Sequence, residues 1–159
     1  MSTLQHIVIS FLLLFLAGCS STSVVKTEQA LVNSGTISSF RLHNYTDTPR
    51  AGMRSANITE GILRSKGFRV TSHIVENSYT VSEAQNVAQK DNSDYFIVGG
   101  VSEWRYKTGI DGEPAVSLQI SIYNTKSGVL EWSATGADSD WGTGSIGTTA
   151  QKLIQNMMQ

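Results

Sequence analysis

The stretch VSLQISIYNTKSGVLEWSATG, residues 116–136, decides the fold. Val116, Leu118, Ile120 and Ile122 alternate strictly with Ser117, Gln119, Ser121 and Tyr123. Period two is the signature of a strand with one face in a core and one toward water. NTKSG (124–128) interrupts the pattern with turn-forming residues and a closing glycine, and VLEWSATG (129–136) resumes it. The three pieces read as an antiparallel hairpin.

Working outward, DYFIVGGV (94–101) is almost continuously apolar, as expected of a strand covered on both faces. TISSFRL (36–42) is a weaker strand, with Ile37, Phe40 and Leu42 apolar. After the turn-rich HNYTDTP, residues 50–67 (RAGMRSANITEGILRSKG) read as a helix with Ile58 and Ile62 on one face, stopped by Gly67. Gly52 and Gly61 count against that helix. FRVTSHIV (68–75) puts Phe68, Val70 and Ile74 on one side of a strand. Thr80-Val-Ser-Glu83 is a capping box opening a helix whose inward residues are Ala84, Val87 and Ala88. Ala150, Leu153, Ile154 and Met157 follow i, i+3, i+4, i+7 spacing and form a closing amphipathic helix. The order is β-α-β-α-β-β-β-α. It predicts an α/β fold (an α+β sandwich), with helices packed on a mixed sheet of about five strands. There is no internal repeat and no second domain.

The N-terminus supplies the address. Ile7–Leu16 is a ten-residue run broken only by Ser10, too short to span a membrane, which takes about 20 residues. A greasy run followed by small residues is the pattern of a secretion signal. Leu16-Ala17-Gly18-Cys19 looks like a bacterial lipobox, in which Cys19 is diacylated on sulfur and becomes the mature N-terminus. A plain signal peptide or a short buried segment are the competing readings, and MSTLQH carries no Lys or Arg. Ser20, where Asp would be the alternative, resembles lipoproteins sorted to the outer membrane. The expected division is a signal peptide over 1–18, a lipidated tether over 19–34 and one periplasmic α/β domain over 35–159.

Residues 19–159 make one domain's worth of chain. A domain of this size buries about 68–70% of its unfolded surface, enough for a core without disulfides. With Cys19 acylated no thiol is left, so disulfides, cysteine-ligated zinc and cysteine nucleophiles drop out. A net charge of −1 offers no general attraction to nucleic acid. The charge is uneven along the chain. Arg41, Arg50, Arg54, Arg64, Lys66 and Arg69 face only Asp47 and Glu60 in the first half. Asp111, Glu113, Glu131, Asp138 and Asp140 face Lys126 alone in the second. Two solvated surfaces are the ordinary outcome of such a count.

No catalytic or cofactor motif survives inspection. Gly142-Thr-Gly-Ser-Ile-Gly147 matches G-x-G-x-x-G, but no strand follows its helix and no acid lies about 20 residues on. Asp138-Ser-Asp140 could begin a calcium loop, yet Gly142 stands at the third ligand position and no Glu closes the loop. His43 and His73 have no metal or triad spacing. We therefore expect no cofactor, no metal site and no enzymatic activity. Trp104, Trp132 and Trp141 remain. Trp132, on the returning strand, is read as core. Trp141 sits in a polar loop, where an indole suits an interface or the membrane headgroup zone.

SEWRYKTGIDGEPAVSLQISIYNTKSGVLEWSATG (102–136), with the lipobox and the strand order, resembles the PelC family of outer-membrane lipoproteins of Pel exopolysaccharide export. More broadly the chain is similar to lipoproteins related to the curli secretion channel and the TolB N-terminal domain. The resemblance covers about residues 35–158 and is densest at 94–154. It implies a small α/β sandwich, many copies of which form a ring under the outer membrane. The ring's acidic mouth would guide a cationic polysaccharide toward an outer-membrane β-barrel. On this resemblance Asp111 and Glu113 match an acidic loop and Trp141 the membrane-dipping indole. Asp138 and Asp140 would add to the field. The broader family also contains activators of peptidoglycan synthases and flagellar accessory lipoproteins, so an adaptor role on a cell-wall synthase or other envelope machine stays open beside the export role.

Overall fold

The computed structural model describes residues 21–159, apart from 76, 107, 108, 110, 111 and 141–143. Its strands are β1 (Ser21–Lys26), β2 (Thr36–Phe40), β3 (His43–Asn44), β4 (Arg69–His73), β5 (Tyr95–Arg105), β6 (Ala115–Asn124) and β7 (Leu130–Ser139). Its helices are α1 (Ala51–Ser65), α2 (Val81–Lys90) and α3 (Ile146–Met157). The strands form one mixed sheet in the order β1-β7-β6-β5-β2-β4, with β3 pairing β5 beyond the end of β2. β2 runs parallel to both β4 and β5, as expected of strands joined through helices, and β5-β6-β7-β1 is antiparallel.

The mixed sheet with packed helices is as the sequence predicts, but it has seven strands rather than five. One addition is the two-residue β3. The other lies in the segment read as a free tether, where Ser21–Lys26 pairs antiparallel with residues 134–139 of β7. Polar, turn-poor chain carries no period-two signal of its own, and an edge strand with one ladder partner needs none.

One face of the sheet holds the main core, under α1 and α3. Val116, Leu118, Ile120 and Ile122 all point into it beside Trp132 of β7, with Leu153, Ile154 and Met157 of α3 packed against them. The alternation in β6 is thus a real partition of faces. A bulge between Val101 and Glu103 shifts the β5 register by one residue and turns Trp104 into the same core. The other face is covered by α2, which seats Ala84 and Ala88 on Phe40, Phe96 and Val98, with Tyr79 packed beside them. β5 is therefore covered on both faces where its sequence is most apolar. β2 is more central than its sequence suggests. Ser38 and Ser39 are buried in it, and the Ser38 hydroxyl donates to Asp91 at 2.6 Å and pairs with Ser93 Oγ at 2.8 Å.

The helix ends are locally specified. Thr80 and Glu83 make the expected reciprocal capping box at α2. Ser145 and Thr148 make another at α3, unmarked in sequence because threonine replaces the usual Glu or Gln. α1 ends in a Schellman motif, with Phe68 N–H donating to Leu63 O and Gly67 N–H to Arg64 O. The two glycines inside α1 have opposite roles. A Cβ at Gly52 would collide with the Leu42 carbonyl, so this glycine lets α1 lie against the chain leaving β2. Nothing lies within 4 Å of a Cβ at Gly61. Gly52→Ala should cost about 3 kcal/mol through overpacking, whereas Gly61→Ala should gain about 1 kcal/mol of helix propensity. Thermal unfolding of the two variants, with midpoints moving in opposite directions, checks both.

Candidate functional site

One end of the sheet gathers the residues singled out above. The β5–β6 connection (106–114) and the β7–α3 connection (140–145) both leave from this end, and Asp140 N–H donates to Pro114 O at 3.3 Å between them. β1 begins here too, because Ser21 pairs with Ser139. α1 starts at the same end. Thr48, just before it, donates its hydroxyl to Trp104 O at 2.6 Å, and the Arg54 guanidinium lies 5.7 Å over the Tyr106 ring.

The acidic residues here are not equivalent. Asp138 lies within β7 rather than in a loop, and strand alternation turns it to the core side, where it is 5% exposed. It accepts a hydrogen bond from Thr22 Oγ1 at 2.7 Å, which ties β1 to β7. Burial and this bond remove Asp138 from the set of solvated guide charges and make it a strap for the edge strand. Asp140 is partly exposed and bonds Lys152 of α3 at 3.0 Å, so part of its charge is locally balanced. Glu113 is half-buried, and one of its carboxylate oxygens, like the Trp104 indole N–H, is buried with no hydrogen-bond partner among the described residues. Asp111, Trp141 and Cys19 lie outside the described residues. Sequence reasoning missed Thr22 and Lys152, since neither belongs to a local pattern.

The basic half of the chain does not form an opposing end. α1 starts at the end the β5–β6 connection leaves from, so Arg54 sits over Tyr106 while Arg64 and Lys66 lie at the helix's other end. The two histidines are built into the packing. His73 stacks on Phe40 at 5.1 Å and bonds Asp91 at 2.8 Å, and His43 Nε2 contacts Tyr79 O at 3.1 Å. Trp132 is 1% exposed, the core residue its position on the hairpin predicts. Among the described residues no three His, Cys, Asp or Glu side chains are grouped as metal ligands.

No family model matches the sequence. No curated protein matches it either. Solved structures do. A PelC dodecamer from Paraburkholderia phytofirmans is 30% identical, with a TM-score of 0.72, covering 87% of this chain and 96% of that one. A leucine-to-methionine variant of that dodecamer gives 32% identity and a TM-score of 0.75 over the same shares. Lipoprotein GNA1162 from Neisseria meningitidis shares the fold, at 14% identity and a TM-score of 0.55, over 77% of this chain and 96% of that one. These neighbours are PelC and a lipoprotein, not enzymes. The identity to PelC, over nearly the whole of its chain and carried on the same mixed sheet, establishes that this chain belongs to the PelC family.

Proposed function

We propose that the protein is a non-catalytic subunit of a lipid-anchored ring on the periplasmic face of the outer membrane, guiding an exopolysaccharide to a β-barrel export channel. The observation that carries this reading is the register of β1. Ser21 opposite Ser139 brings the chain that leads from Cys19 to the end of the sheet that bears both loops. Two residues of chain reach at most about 7 Å, so acyl chains on Cys19 would hold this end against the bilayer. Burying them is worth about 0.8 kcal/mol per methylene. Trp141, in the same connection as Asp140, then meets the headgroup zone, where indoles are favoured. On this reading Asp111, Glu113 and Asp140 belong to the connections facing the membrane, and their summed field would draw a cationic polymer toward the barrel.

The incorporation of β1 into the sheet also bears on reach. A domain held this close to its anchor works at the membrane rather than across the cell wall, which favours export over the adaptor role. The dodecameric assembly of the PelC relatives supports a homo-oligomer, and repeated heterologous contacts close naturally into a ring. Full-length protein solubilised in mild detergent or reconstituted into lipid nanodiscs should give closed rings by electron microscopy, with a mass many times that of the 17.2 kDa chain. Monomers in both environments would overturn the ring and leave the adaptor reading standing.

A further inference from the structure

At the end of the domain remote from Ser21, the chain before β2, the α2–β5 turn and the β6–β7 hairpin surround a cleft of about 580 Å³. Its volume falls in the roughly 300–1,000 Å³ range of small-ligand sites, but such sites are mostly apolar and this one is not. Gln89, Asn92, Asp94, Asn124 and Lys126 line it, with Tyr95 as the aromatic wall. Its polar groups are held in place. Asn124 Oδ1 accepts from the backbone N–H groups of Lys126 at 3.1 Å and Ser127 at 3.0 Å, which leaves its amide NH₂ as a donor. Gln85 and Gln89 both donate to Thr125 O, at 3.0 and 3.5 Å, fixing the hairpin to α2. Thr36 donates its N–H at 2.8 Å and its hydroxyl at 2.7 Å to one oxygen of Asp94. Those two bonds, with the charge of Arg69 adding to them, hold the Asp94 carboxyl below the usual carboxylate range, so it is ionised at neutral pH.

We propose that this cleft binds an amino-sugar unit of the transported polymer. A carboxylate, three amides and one aromatic ring match a ligand made of an ammonium group, hydroxyls and a flat pyranose face. The Asp94 oxygen that Thr36 does not bond takes the ammonium, as a charge-assisted bond. Gln89, Asn92 and Asn124 share donors and acceptors with the hydroxyls, and the sugar ring lies against Tyr95. Lys126, exposed at the rim, serves hydroxyl or N-acetyl oxygens. Walls fixed before the ligand arrives reduce the ordering cost of binding. This inference rests on the export reading for its ligand class and extends it. β6 runs ten residues between the two ends, so the cleft lies roughly 30 Å from the anchored end, where polymer enters from the periplasm.

The test uses full-length protein in detergent micelles, with glucosamine tetramer and galactosamine as probes and maltotetraose as the neutral control. Calorimetry and saturation-transfer NMR should show saturable binding of the amino sugars, at least tenfold tighter than the glucan. Asp94→Asn keeps an acceptor for Thr36 and should weaken binding at least tenfold. Asn92→Gly keeps the positive φ of 53° at that position and should weaken it about threefold. No saturable binding, or binding unchanged in both variants, overturns the site. Ring assembly is measured on the same samples and export in cells carrying the same variants. Intact rings and export without sugar binding in the cleft sink this inference alone. Unchanged export on deletion of the protein sinks the export reading, while the binding data still decide the cleft.

Discussion

Cys19→Ser is expected to abolish acyl labelling and to remove the protein from the outer membrane almost completely. Serine cannot form the thioether, so the precursor is neither diacylated nor cut before residue 19. Each buried methylene contributes about 0.8 kcal/mol, and under the proposed anchoring two or three chains together would supply essentially all of the attachment. No helix among the described residues is long and apolar enough to cross a membrane, so none of these helices offers a replacement span. On the proposed reading the effect on export should be as large as the effect on location, because losing the anchor would free the end that the β5–β6 and β7–α3 connections leave from. Labelling with radioactive palmitate, followed by membrane fractionation, measures it. Recovery of the serine variant in the outer membrane at the wild-type level would refute the lipid anchor.

Reversing Asp111 and Glu113 together to Lys should lower polymer export tenfold or more at matched protein levels. The expectation follows from steering, in which the summed field of a charged mouth changes encounter rates by about 10–1,000-fold and no single carboxylate is essential. Asn and Gln at these two positions should give an intermediate defect, and raised salt should weaken export by the wild type. The structure supplies the control. Asp138 is buried against Thr22, so Asp138→Asn should loosen β1 while leaving the mouth's field nearly unchanged. Turn shape is the competing explanation. Gly109 has a φ of +74°, and Gly109→Val would strain the same connection without altering its charge. Wild-type export by the double-lysine variant, together with a defect in Gly109→Val, would eliminate the acidic guide and leave a shaped scaffold.

The sequence by itself determined the class of fold and most of its elements. The period-two run in β6 marked the core face residue by residue, and the i, i+3, i+4, i+7 set in α3 is wholly buried. The Thr80–Glu83 box and the stop at Gly67 were legible because helix ends are fixed by hydrogen bonds within a few residues. Tertiary structure alone decided how the candidate residues are grouped. Thr22 and Asp138 are 116 positions apart, and no local period indicates that one will hold the other. Buried Ser38 weakens the strand signal of β2, yet its cost is offset by Asp91 and Ser93, which arrive from another part of the chain. The basic and acidic halves of the chain looked like two surfaces until α1 carried Arg54 over Tyr106, at the start of the connection between β5 and β6. Periodicity records which side of an element avoids water. Which side chains then meet across the sheet depends on strand pairing and register, and those are settled by long-range hydrogen bonding and packing.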